Sequence, residues 1–147
     1  MASIEIRRMV KTDLQEITAL EKGIFIDPWS LEAFRSDLKN EMALPLVLAV
    51  DGKTAGYACL YIVAGEMQIG NFAIAPEFRR RGLARMLMER VVEIAGEHEC
   101  DSIFLEVRES NIAAKTLYAS FEFKVVGRRT GYYRNPKENA ILMTREM

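Results

Sequence analysis

A chain of 147 residues is the size of one domain and long enough to bury an apolar core without disulfide or metal staples. Hydrophobic residues make up 50% and the net charge is −1, which excludes a disordered chain and a broadly basic nucleic-acid surface. No stretch approaches the roughly 20 apolar residues of a membrane span, and MASIEIRRM has no signal-peptide run. Cys59 and Cys100 lack metal-ligand spacing, so reduced thiols in a cytoplasmic protein are expected, with no metal.

The elements follow in order. Ile4 to Met9 alternates apolar and polar residues and predicts a strand. Thr12-x-x-Gln15 reads as a capping box opening a helix through Leu14, Ile17, Leu20 and Ile24. Asp27-Pro28-Trp29-Ser30 breaks that pattern, and Ser30 is a natural N-cap for a second helix carrying Leu31, Phe34 and Leu38. Leu46 to Val50, the Asp51-Gly52 turn and Thr54 to Val63 predict a β-hairpin. Gln68 to Ala75 is an apolar strand ended by Pro76, and Leu83, Met86, Leu87, Val91 and Ile94 then share one helical face. Asp101 to Val107 is another apolar strand, so a right-handed parallel βαβ unit is expected. Asn111 caps a fourth helix running through Ser120, and Phe123 to Arg129 and Ala140 to Glu146 are strands joined by a polar loop with Tyr132 and Tyr133. The sum is an α/β fold in a single domain over residues 1–147: a mixed, mostly antiparallel sheet of about seven strands with four helices.

The junction before the third helix concentrates charge. Arg79, Arg80, Arg81 and Arg85 crowd a helix N-terminus that already carries about half a positive charge. Acids are favoured there; an anion reverses the sign. Free helix amides, several guanidinium groups and Gly82 together make a phosphate site. Neither G-x-x-x-x-G-K-[ST] nor G-x-G-x-x-G occurs, so it is neither a P-loop nor a dinucleotide fingerprint.

What stands there is R-x-x-G-x-A, from Arg79 to Ala84. It resembles the acetyl-CoA motif of the GCN5-related N-acetyltransferase (GNAT) superfamily, [QR]-x-x-G-x-[GA], and the order of elements resembles that fold over essentially the whole chain. The resemblance is nearest to the RimI branch, carried by Asp27-Pro28-Trp29-Ser30, by Leu105-Glu106-Val107-Arg108 with Ser110-Asn111, by Leu117-Tyr118 and by Tyr132-Tyr133. It implies acetyl-CoA as cosubstrate, held by the backbone of Phe72, Ala73 and Ile74, by the Arg79, Arg80, Arg81, Gly82, Leu83, Ala84 and Arg85 segment, and by Asn111 against the pantetheine arm. It implies Glu106 as general base, Tyr118 as proton donor to the leaving thiolate, and a protein N-terminus as acceptor, in that branch the alanine of small-subunit ribosomal protein eighteen.

The chemistry asks for no metal and no covalent nucleophile. An amine must be neutral to attack, the carbonyl oxygen needs a donor, and the sulfur needs a proton. An α-amino group near pKa 7.7–8.0 asks less of a base than a lysine near about 10.4. Trp29, Tyr132 and Tyr133, expected in loops bordering the cleft, are the acceptor-side candidates. Two rival expectations remain: the same cosubstrate with an internal lysine or small amine as acceptor, and a CoA-sensing module without turnover. Oligomeric state is open. One departure stands out, because where the family has glycine after the fourth helix this chain has Glu122 between Phe121 and Phe123. A left-handed residue there costs a non-glycine about 1–2 kcal/mol, with the placing of Tyr118 at stake.

Overall fold

The computed structural model describes residues 2–147. Seven strands form one sheet in the order β1 (Ile4–Arg8), β2 (Ala43–Val50), β3 (Lys53–Val63), β4 (Glu66–Ile74), β5 (Ser102–Arg108), β7 (Lys137–Glu146) and β6 (Lys124–Arg134). All neighbours are antiparallel except β4 and β5. The helices are α1 (Leu14–Ile24), α2 (Leu31–Lys39), α3 (Leu83–Glu97) and α4 (Ile112–Ser120). The expected α/β architecture with its parallel βαβ unit is what forms.

Both faces of the sheet are covered, which explains why β2 is buried along its length rather than alternating. Leu46, Leu48 and Val50 pack toward α3 with Leu87, Met88 and Val91. Val47 faces the other way, joining Leu14, Ile17 and Phe34 of α1 and α2 with Tyr57. Asp51 and Gly52 both take positive φ, as a two-residue hairpin turn requires.

Two local expectations need correction. The capping box at Thr12 and Gln15 does not form. A short 3-10 turn, Lys11–Asp13, precedes α1, and Asp13 is the capping group, accepting from the Val10 N–H at 2.8 Å and gripping Arg7 at 2.8 and 2.9 Å. That guanidinium holds the Asp13 carboxyl below its usual range. Tyr132 and Tyr133 lie in β6, not in a loop, because β6 and β7 run on to a tight turn at the cis Asn135–Pro136 bond. Both cysteines are free and buried. Glu122 does take the left-handed conformation, φ 68, directly after α4.

Candidate active site

The site is made where the sheet comes apart. β4 pairs with β5 only from Glu66 to Ile69, whereas β5 stays paired with β7 to Arg108 and β4 with β3 to Ile74. Gly70 is the extra residue of a β-bulge, between Ile69 opposite Leu60 and Asn71 opposite Cys59. Beyond it the two parallel strands diverge around a cleft of about 710 Å³. The bulge also switches faces: Met67 and Ile69 pack toward α3 before it, Phe72 and Ile74 after it, while Asn71 and Ala73 turn toward α1.

One wall is mostly backbone. The Ala75 N–H donates to Ala55 O at 2.7 Å, so by alternation Ala73 directs its peptide groups toward β3, and Phe72 and Ile74 direct theirs into the cleft. Arg79 Nε donates to Ile74 O at 3.1 Å and lines the wall. Gly82 is the N-cap of α3, with φ 76 and no side chain to satisfy the first-turn amides, and the turn contains no acid. Arg80 is also left-handed, φ 64, and the two residues fold the loop tightly over the helix mouth. Bare amides beside guanidinium groups fit a diphosphate. The Leu83 side chain is core, 3% exposed, leaving only its amide for a ligand. Arg81 lies over the Phe78 ring, and Arg85 over Phe121 with Nη1 on Ser120 Oγ at 3.0 Å.

The facing wall is mostly side chains. In β5 the apolar residues Ile103, Leu105 and Val107 point into the α3 core, so alternation puts Glu106 and Arg108 on the other face. Glu106 lines the cleft with its side chain 17% exposed, and its Oε1 lies 3.5 Å from Arg129 Nη2. Its charge, ahead of burial, raises the Tyr132 hydroxyl. Burial, then Glu106, push Tyr133 up to about 12. Arg108 stacks on Tyr133 at 4.2 Å, donates to Glu138 at 3.1 Å and reaches Asp27 at 3.3 Å. It thus ties the Trp29 loop to the β6–β7 turn.

α4 closes one end. Asn111 accepts from the Ala114 N–H at 3.1 Å as its N-cap and also lines the cleft. Tyr118 lines it too, 7% exposed, packed edge-on against Phe72 and beside Phe123; burial raises its hydroxyl, keeping the proton on oxygen.

The family model for "Acetyltransferase (GNAT) family" matches residues 14–123. The chain belongs to the GNAT acetyltransferase family. A [Ribosomal protein bS18]-alanine N-acetyltransferase of Salmonella typhimurium is 36% identical over 134 residues, 90% of each chain. The crystal structure of the ribosomal-protein-S18-alanine N-acetyltransferase from Escherichia coli superposes with a TM-score of 0.92 at 32% identity, covering 98% of this chain and 94% of that one. At 20% identity, where the likeness is of fold alone, Arabidopsis thaliana NAA60 in complex with acetyl-CoA gives a TM-score of 0.87, covering 99% and 100%.

In this GNAT protein Phe72, Ala73, Ile74, Arg79, Ala84, Glu106, Asn111, Tyr118, Trp29 and Tyr133 line one cleft. Arg80, Arg81, Gly82, Leu83 and Arg85 belong to its mouth at α3, and Tyr132 stands outside beside Tyr133, their rings 5.1 Å apart. Sequence reasoning missed Glu21 and Asn71. Glu21 is 1% exposed on the cleft wall and accepts from Tyr57 Oη at 2.7 Å, Asn71 Nδ2 at 2.9 Å and the Trp29 N–H at 3.0 Å. The available sign was a carboxylate four residues after Ile17 and seven after Leu14, on the buried face of α1. Among the described residues no group of acidic, histidine and cysteine side chains is set to hold a metal, and no helix is long and apolar enough to cross a membrane.

Proposed function

We propose that this protein transfers the acetyl group of acetyl-CoA to the α-amine of a protein N-terminus, with the terminal alanine of ribosomal protein bS18 as its acceptor in the cytoplasm. The whole chain serves as one catalytic domain. The observation that carries this reading is the opening of the sheet between β4 and β5, with a carboxylate on one wall and peptide amides on the other. The identities of the relatives' acceptors support the choice of alanine.

In this reading the α3 mouth takes the diphosphate, and the cleft-facing peptide groups of Phe72 and Ile74 that Asn71 Oδ1 and Arg79 Nε do not already hold pair with the amide-rich arm as a neighbouring strand would. Asn111 meets the arm from α4. A cleft amide of β4 donates to the thioester carbonyl as negative charge develops there. Glu106 removes a proton from the incoming ammonium, directly or through a water, and Tyr118 returns one to the sulfur as the C–N bond forms and the C–S bond breaks. The raised Tyr118 hydroxyl suits a group that must hold its proton until a thiolate appears. Trp29, Tyr132 and Tyr133 border the acceptor's path.

The test offers acetyl-CoA with N-terminal peptides, lysine peptides and polyamines to purified protein. Acetylation of an alanine-terminated peptide at its α-amine is expected. Transfer only to lysine or polyamine overturns the acceptor, and tight cofactor binding with no transfer overturns catalysis. Tyr118→Phe should slow turnover about a hundredfold with acetyl-CoA affinity kept; loss of affinity alone would leave Tyr118 a packing residue.

A further inference from the structure

Besides Glu106 and the Arg108-paired Asp27, a third carboxylate lines the cleft, and this chemistry leaves it without a task. Glu21 is deeply buried, yet no lysine, arginine or histidine pairs with it among the described residues; it is held by three neutral donors. Such a carboxylate is costly to bury, and an apolar side chain of similar size fills the same space at lower cost. What an apolar side chain would not do is join the parts that Glu21 joins. Its Oε1 takes Asn71 Nδ2, just past the bulge of β4, and its Oε2 takes the Trp29 N–H in the loop between α1 and α2. The Asn71 amide, oriented by that bond, turns its Oδ1 to accept from the Phe72 N–H at 3.0 Å.

We infer that Glu21 is a positioning residue, setting the Trp29 loop against the Phe72 end of β4 and so fixing where the acceptor's first residue stands relative to the thioester. This rests on the N-terminal acetyltransfer reading for its acceptor. The role needs an acceptor at both ends of the side chain. An amide has a donor at one end, which faces either the Trp29 N–H or the Asn71 Nδ2. In the second case a flip of Asn71 brings its NH2 against the Phe72 N–H. Either way one part loses its hold. Tyr57 differs from the other two donors: it enters from β3 beneath the cleft and is not part of its lining.

The experiment uses the full chain and two variants. Glu21→Gln should raise the KM for an alanine-terminated peptide about tenfold or more, since a hydrogen bond to a charged group is lost, while the KM for acetyl-CoA stays within about twofold. Trp29 is the single tryptophan, so its emission should shift to the red and become more open to acrylamide quenching. Tyr57→Phe removes one bond to the same carboxylate and should lower Tm while leaving both KM values and the emission as they were. Wild-type KM and emission in Glu21→Gln would overturn the inference. So would equal kinetic losses in both variants, the mark of a merely structural hub. If the wild type acetylates no N-terminal peptide, the functional reading fails, and the emission and quenching of the two variants still decide whether Glu21 places Trp29.

Discussion

The two walls of the cleft are built from different materials. The β4 and α3 wall presents mostly main-chain donors and acceptors, whose positions follow from strand divergence and a helix terminus. The opposite wall presents Glu106, Tyr133 and the Trp29 loop, each held by long-range side-chain contacts: Arg129 on Glu106, Arg108 on Tyr133 and Asp27, Glu21 on Trp29. A main-chain wall tolerates many side chains and is marked by a short local motif. A side-chain wall depends on partners scattered along the chain, and substitution there tells on chemistry and acceptor choice.

Four substitutions probe that division, beginning with the largest expected effect. On the side-chain wall, Glu106→Gln should lower turnover about 100- to 10,000-fold with acetyl-CoA affinity within about twofold; steady-state rates beside a cofactor titration check it, and unchanged turnover removes the base. On the main-chain wall, Arg79→Ala should do the reverse, weakening acetyl-CoA binding about ten- to a hundredfold through the lost phosphate partner and the freed Ile74 carbonyl. Calorimetry reads that affinity, and a shift confined to the acceptor KM would break the comparison.

Behind the main-chain wall, Glu122→Gly should stabilise the protein by roughly 1 kcal/mol in denaturant titration, relieving the left-handed φ of 68, since at 3.6 Å from Arg145, which Phe121 O already holds, the exposed Glu122 carboxylate adds little. Turnover should not change, because Tyr118 is already seated against Phe72 and Phe123; a faster enzyme would mean that the strain misplaces it. The smallest effect lies in acid. Asp13, at the start of α1, is lowered chiefly by its bond to Arg7. The stability it contributes is therefore complete above the ordinary value of 3.8 and lost as pH falls through the lowered native value. In Asp13→Asn, a plot of Tm against pH should lose that part of its acid limb, and an unchanged limb would refute the assignment.

Much of this was legible beforehand because it is local. The Gly82 junction, the Ser30 and Asn111 caps and the hairpin at Asp51-Gly52 each depend on residues within a few positions, and each forms. The main-chain wall belongs to this class. Where pairing over a distance decides, the sequence misleads. Thr12 and Gln15 match a capping pattern, but Arg7 from the neighbouring strand makes Asp13 the better cap. Tyr132 and Tyr133 look like loop residues beside Asn135-Pro136, but pairing of Arg129, Tyr133 and Arg134 with β7 carries the strand through them. Glu21 reads as an ordinary helical carboxylate until Tyr57 and Asn71, 36 and 50 residues away, close on it. Even the usable half of β4 depends on Gly70, whose bulge no periodicity announces.

The unpaired stretch of β4 is an edge placed inside a sheet rather than at its rim, and that location decides what can join it. A rim strand recruits any extended chain and must be defended, as β6 is by Lys124, Arg128 and Arg129 along an exposed, bulged run. The inner edge is capped at two points only, by Asn71 Oδ1 on the Phe72 N–H and by Arg79 Nε on the Ile74 carbonyl. It is flanked instead by β5 and α4, whose residues Glu106, Asn111 and Tyr118 line the far side of the cleft. Enclosure between β5 and α4 thus does for the inner edge what charge does for the rim.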